Sequence, residues 1–186
     1  MNFKSFKRWA TIGCFSLAVV AGLTQHSQAQ QASRFASFYC GTDNGKPATI
    51  ADHPIRGEIT LIIGESDYFI NAGYDPKRRC REVSDNFEKF QQTGDLSKIV
   101  PGRAKNQPVL CAIGSLSNYT GNCPSSNILM TLIPGDNAQG MVNQIGELNV
   151  KDSIDPLRHS ASIFEQYGDI KVINIDSMLN YSPPTK

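Results

Sequence analysis

Four cysteines, Cys40, Cys80, Cys111 and Cys123, constrain this chain more than any other feature of it. A bond between two of them ties together segments far apart in sequence and removes loop entropy from the unfolded chain. Whether they bond depends on compartment, because thiols are kept reduced in the cytosol and oxidise outside it. The N-terminus gives the expectation. Lys4, Lys7 and Arg8 form a positive start, residues 10–23 are uncharged and largely apolar, and Ser27-Gln28-Ala29 offers small residues for cleavage. This pattern predicts a signal peptide over residues 1–29, cut after Ala29, and an exported domain over residues 30–186. The apolar stretch falls short of the roughly 20 residues of a spanning helix, so no transmembrane span is expected after cleavage. A fifth cysteine, Cys14, lies inside the apolar stretch rather than after it, so it does not read as a lipoprotein site.

An even count of cysteines in an exported domain reads as a disulfide framework with three possible pairings. A structural zinc site is the rival, but zinc ligands usually come in close pairs, whereas eleven residues separate even Cys111 and Cys123. The predicted order of elements favours Cys111–Cys123, joining neighbouring strands across the loop of residues 114–122, and Cys40–Cys80, tying the first strand to the main helix. By loop closure these contribute about 3 and about 4 kcal/mol.

Cleavage would also change the charge. Three of the 18 basic residues leave with residues 1–29, so 15 face 17 acidic ones and the formal charge goes from +1 to −2. A near-neutral domain is not a general polyanion binder, and no nucleic-acid partner is expected. The remaining length suits one domain with a sizeable core.

Periodicity and turn residues place the elements. Residues 34–40 read as a short aromatic strand, Asn44-Gly45 as a turn and residues 47–51 as its partner. The β-branched run Gly57–Ile63 reads as a buried strand. A main helix is predicted over about 75–92. Asp75 is its N-cap, Pro76 its first residue and Gly94 lies past its end, while Cys80, Val83, Phe87 and Phe90 share one face. Residues 96–102 and 107–113 read as a hairpin turning at Lys105-Asn106, and residues 128–133 as a third strand. Asp136 is expected to cap a second short helix over about 136–147 carrying Val142 and Ile145. A helical turn near Ser162, a strand over residues 170–175 and an irregular tail complete the reading. The predicted fold is α+β: an antiparallel sheet packed on one main helix, stabilised by cystines.

The order and spacing of these residues resemble the cyanobacterial circadian oscillating protein domain, a family of small exported proteins. The resemblance runs from Phe38-Tyr39-Cys40 through Phe69-x-x-Ala72-Gly73-Tyr74-x-Pro76-x-x-Arg79-Cys80-x-x-Val83-Ser84-x-x-Phe87. It continues through Gly94-Asp95-Leu96, Gly102-x-x-x-Asn106-x-x-Pro108-Val109-x-Cys111, Cys123 and Leu129-x-Thr131-Leu132-x-Pro134-Gly135. The Arg-Cys helix start is its specific part. The family-like core covers residues 34–148, followed by an extension over 149–180 and a tail over 181–186. The chain departs from the family where a strand often carries a tryptophan near Ile63-Gly64, since none follows Trp9. The resemblance implies export to a periplasm or thylakoid lumen, peripheral association with a membrane and no assigned reaction. Rhythmic abundance says when a gene is used and not what its product does.

Catalytic signals are weak. His53 and His159 lie in polar, turn-like contexts and read as ordinary surface histidines, and no Gly-x-Ser-x-Gly elbow is present. Glu65 and Asp67, beside Tyr68 and Phe69, are the one candidate carboxylate pair, the alternative being acids solvated in a polar loop. Asp43, Asp52 and His53 match no metal-ligand spacing. Residues 41–46 resemble a phosphate loop only superficially, because Pro47 follows Lys46 where a helix should start. The reading assigns no catalytic residue, no metal and no cofactor. It takes the domain to be a non-enzymatic binding or peripheral membrane-associated factor. A carboxylate enzyme at Glu65 and Asp67, or an inhibitor-like or structural envelope protein, are the alternatives.

The surface singled out for binding is basic and aromatic. Lys77, Arg78 and Arg81 fall in one turn of the main helix with Arg79 beside them, and Tyr68, Phe69 and Tyr74 precede them. Cations at a helix N-terminus oppose its dipole, so that helix alone gives no reason for them. The expected partner is an acidic membrane surface or an as yet unidentified protein. The bland alternative is a solvated face paired locally with Glu82 or Asp85.

Overall fold

The computed structural model describes residues 36–117, 119–150 and 163–181. The predicted signal peptide, the first residues of the opening strand, His159, the helical turn near Ser162 and residues 182–186 of the predicted tail lie outside the described residues.

The chain runs β1 (Ser37–Asp43), β2 (Lys46–His53), β3 (Gly57–Ile63), α1 (Pro76–Thr93), β4 (Lys98–Ala104), β5 (Gln107–Ile113), β6 (Ile128–Thr131), α2 (Ala138–Val150), β7 (Phe164–Tyr167), β8 (Ile170–Asn174) and α3 (Ile175–Tyr181). It is α+β with antiparallel strands. Those strands form two sheets, however: a meander β1-β2-β3 and a five-stranded sheet β6-β5-β4-β8-β7. The division follows from the connections. Tight turns at Asn44-Gly45 and Lys105-Asn106, all four residues at positive φ, close hairpins within each sheet. After β3 the chain leaves by a loop and α1 instead, and returns as a new sheet.

The main helix forms as its ends dictate. The Asp75 carboxylate accepts from the Arg78 N–H at 2.7 Å, and Pro76 occupies the first position. Gly94 closes the helix at φ 77°, a left-handed conformation that a β-carbon would oppose. Its buried face carries Cys80, Val83, Ser84, Phe87 and Phe90. Phe87 meets Phe38 of β1 with ring centroids 5.3 Å apart, and the buried Ser84 hydroxyl bonds that of Thr49 on β2 at 3.1 Å. On the other side Asn86 donates its amide to the Leu129 carbonyl of β6 at 3.0 Å. The helix is thereby held to two strands of the first sheet and one of the second.

The second sheet buries both faces, and the strands read it out with period two. Ile99, Leu110, Ala112 and Ile173 face the main core with α1, α2 and α3. Val100, Val109, Cys111, Ile113 and Val172 face the opposite way, into a smaller core completed by Cys123 and packed against by Leu116 and Tyr119.

Both disulfides are present, Cys40–Cys80 and Cys111–Cys123. The first ties β1 to α1. The second does not staple neighbouring strands as expected: Cys123 lies in a segment that runs along β4, where its N–H bonds the Arg103 carbonyl at 2.9 Å. β8 pairs with β4 only at Lys98 and Ile99, so the far half of that edge is left for residues 121–123 to cover. The bond from β5 therefore crosses β4 over Gly102. A β-carbon there would stand 3.0 Å from Cys111 Sγ and 2.7 Å from the Tyr119 hydroxyl.

Several boundaries differ from the sequence reading: β4 is shifted to Lys98–Ala104 from the expected 96–102, and β6 ends at Thr131. α2 begins at Ala138, and its cap is Asn137, whose side-chain oxygen accepts from the Gln139 and Gly140 N–H groups. Asp136 instead accepts from Ile133 N–H and closes the preceding turn. The strand from Ile170 ends at Asn174, where the Asn174 side chain accepts from Ser177 N–H and starts α3. Ile175, Met178 and Leu179 of that helix are buried at helical spacing. β7 pairs with β8 and was not read from the sequence at all.

Candidate functional site

The loop after β3 and the first turns of α1 bring the predicted binding residues together. The loop folds back on itself as a 3₁₀ turn at residues 70–72, and Gly73 and Tyr74 donate their N–H groups to the Ile70 and Phe69 carbonyls. Two arginines of α1 then lie on two aromatic rings of this loop. The Arg78 guanidinium sits 4.3 Å from the Tyr74 ring centroid, and Arg79 sits 4.4 Å from that of Phe69. The negative ring faces offset the unfavourable placement of cations at a helix N-terminus. Arg78 also reaches the Gly73 carbonyl at 3.0 Å and the Glu82 carboxylate at 3.3 Å.

The face thus splits in two. Phe69 and Tyr74 are partly covered by the arginines, while Tyr68 is 57% and Ile70 47% exposed. Lys77, Arg78 and Arg81 all point to solvent, and among the described residues neither Lys77 nor Arg81 has an ion-pair partner.

Arg79 turns inward. It lines a cleft of about 400 Å³ and also a smaller one of about 280 Å³ on its other side. The larger cleft is walled by the end of β3, the start of α1, the chain leaving β6, and α2. Its walls include Ile62, Val83, Met130, Met141 and Ile145. Arg79 Nη2 donates to the Thr131 carbonyl at 3.3 Å, and burial lowers the pKa of the guanidinium against the opposing influence of Asp136 and Glu82.

The carboxylate pair of the sequence reading is not assembled as a pair at this cleft. Glu65 stands at its edge, exposed and ion-paired with Lys46, and Asp67 does not line it. Asp136 is the acid the fold brings there. Cys80 lines the cleft as half of a disulfide. Among the described residues no group of three His, Cys, Asp or Glu side chains comes together as a metal site requires.

Away from the cleft, His53, Tyr39 and Tyr119 are among the groups with shifted titration. His53 is buried, and its Nδ1 accepts from the Ile55 and Arg56 N–H groups at 3.3 and 3.2 Å, capping the turn between β2 and β3. Burial, then Arg56, lower its pKa. Burial together with the Glu58 carboxylate pushes the Tyr39 phenol up to about 12. Burial alone does the same for Tyr119, whose hydroxyl donates to the Pro101 carbonyl. These groups hold turns and strands in place and lie outside both clefts.

The sequence reading places Arg79 beside the cationic cluster of Lys77, Arg78 and Arg81, and the fold turns it away from that outer face. The signal was available in its position. It precedes Cys80 and stands four residues before Val83, on the border of the apolar face, where a solvated cation has no need to be. Met130, Met141 and Asp136 carried no such signal, since only the packing of α2 beside β6 brings them to the cleft.

The family model of circadian oscillating protein COP23 matches residues 37–180, which takes in every described strand and both long helices. No curated protein and no solved structure matches the chain.

Proposed function

The chain belongs to the circadian oscillating protein COP23 family, and we propose that it is an exported, non-enzymatic binding domain that docks on an anionic membrane surface through the loop before α1. The observation that carries this reading is the exposure of Tyr68 and Ile70 on a loop that packs against a helix start bearing exposed Lys77, Arg78 and Arg81. Aromatic and aliphatic side chains enter the headgroup region, and each adjacent cation adds about 1 kcal/mol at an anionic surface. The attraction is local, because the exported domain would be slightly acidic overall.

Export is supported by the two disulfides, which persist in oxidising compartments such as a periplasm or a thylakoid lumen. Among the described residues no helix is long and apolar enough to cross a membrane, which suits attachment from one side.

Co-sedimentation with vesicles of phosphatidylglycerol and phosphatidylcholine, at low and at physiological salt, tests the proposal. Binding should grow with the phosphatidylglycerol fraction, weaken with salt, and fall at least tenfold in Lys77→Ala/Arg81→Ala and in Tyr68→Ser/Ile70→Ser. Equal partition onto neutral vesicles, or unchanged partition of both variants, would sink it. A protein partner at the same face would then be the reading to pursue.

A further inference from the structure

The larger cleft has the features of a ligand site that the docking face does not explain. Its volume of about 400 Å³ falls within the roughly 300–1,000 Å³ usual for small-molecule pockets. Ile62, Met130 and Met141 pack against the core yet stay partly accessible in the cleft wall. Methionine side chains adapt to flexible apolar guests.

Among the described residues, the one cation that lines this cleft is Arg79. A guanidinium carries five N–H donors. One of them is bonded to the Thr131 carbonyl, and the others have no protein acceptor among the described residues. No carboxylate of the described residues lies within ion-pair distance of it. The two acids that share the cleft are engaged elsewhere: Glu65 with Lys46, and Asp136 with the Ile133 N–H. A half-buried cation with unused donors, against an apolar wall, is matched by an anionic head on an apolar chain. The planar fork suits a carboxylate or a phosphate equally.

We propose that the cleft between α1 and α2 binds a single-chain anionic amphiphile, its head on Arg79 and its chain along Ile62, Met130 and Met141. This site is distinct from the docking face. Its ligand is a free amphiphile, whereas the docking face meets a bilayer surface.

The test is calorimetric titration of the purified full chain with four twelve-carbon probes below their micelle-forming concentrations: dodecanoate, dodecyl phosphate, dodecanol and dodecyltrimethylammonium. One or both anions should bind with one-to-one stoichiometry, at least tenfold more tightly than the neutral and cationic chains. This comparison requires no variant and so stands even if a variant folds poorly. Arg79→Gln should lose tenfold or more for the anion, Arg79→Lys should recover part of it, and Met141→Trp should abolish binding by filling the chain channel. Lys77→Ala/Arg81→Ala should bind the anion as the parent does, even though it fails on vesicles. Equal affinity for all four probes, absence of binding up to 1 mM, or full retention of anion affinity in Arg79→Gln would each overturn the proposal. Failure on vesicles alone would overturn only the docking reading.

Discussion

The guanidinium of Arg79 lies 4.4 Å from the ring centroid of Phe69, so a residue of the loop holds a residue of the helix over two clefts. A partly desolvated cation–ring pair of this kind contributes about 1 kcal/mol. In a double-mutant cycle, Phe69→Leu and Arg79→Met should couple by roughly that amount in urea unfolding, beyond the sum of the single effects. A coupling near zero would mean that other contacts, such as those of Arg78 with Tyr74 and Gly73, hold the loop to the helix.

Gly102 is a glycine because a disulfide passes over it. Introducing a methyl group there would force it against Cys111 Sγ, Cys123 Cβ and the Tyr119 hydroxyl. Overpacking of this sort costs about 1–3 kcal/mol, and Gly102→Ala should lower stability by that much. The same substitution made in Cys111→Ala/Cys123→Ala should cost less, because the Cys111 Sγ is gone and the Cys123 Cβ, which alanine keeps, is no longer tied to β5. Equal costs in the two backgrounds would show that the clash lies with Tyr119.

These two relationships also show what a sequence does and does not reveal. The Asp75-Pro76 start, the Gly94 stop and the apolar face of α1 are local signals, and the helix appears where they place it. The apolar run of residues 108–113 is likewise local, and it forms the strand of the expected hairpin, buried on both faces. The division into two sheets is not local, since it depends on which strand edges meet after the chain has turned through α1. α3 is hidden because Ile173 and Ile175 continue a strand-like pattern past the end of β8, and only the Asn174 cap marks the change. At the site, the cationic cluster was visible and Arg79 within it was not singled out. Charge can be read along a sequence, but the side of a helix that faces a cleft is decided by elements placed far away.

The two disulfides should differ in what they hold. Cys40–Cys80 closes a separation of 40 residues and Cys111–Cys123 one of 12. Loop-closure entropy then assigns about 4 kcal/mol to the first and about 3 kcal/mol to the second. Cys40→Ala/Cys80→Ala should lower unfolding free energy more than Cys111→Ala/Cys123→Ala, as measured by urea titration. The second pair should add a local effect: residues 119–123, deprived of their covalent tie to β5, should exchange amide hydrogens faster than the rest of the sheet. An inverted order of stabilities would point to packing around Gly102, and not chain entropy, as the larger contribution of the second bond.

His53 predicts a specific acid sensitivity. Its Nδ1 must be unprotonated to accept from Ile55 and Arg56, and burial and the Arg56 charge disfavour the imidazolium. The folded pKa therefore lies below the ordinary value near 6.5. Above about 6.5 both folded and unfolded forms are neutral, and this group makes stability independent of pH. As pH falls below that value the unfolded chain takes up the proton first, so stability declines, and the decline levels off once the folded form is protonated as well. Glu165 acts separately, at lower pH. Hydrogen bonds from Asn174 and Lys98 depress its pKa, so its contribution is lost only as pH falls below the carboxylate range near 4.5. Urea unfolding from pH 8 to pH 5 should show the histidine step in the parent and lose it in His53→Asn, where the amide oxygen can still cap the turn. If the step survives that substitution, another histidine carries it and the β2–β3 turn does not sense protons.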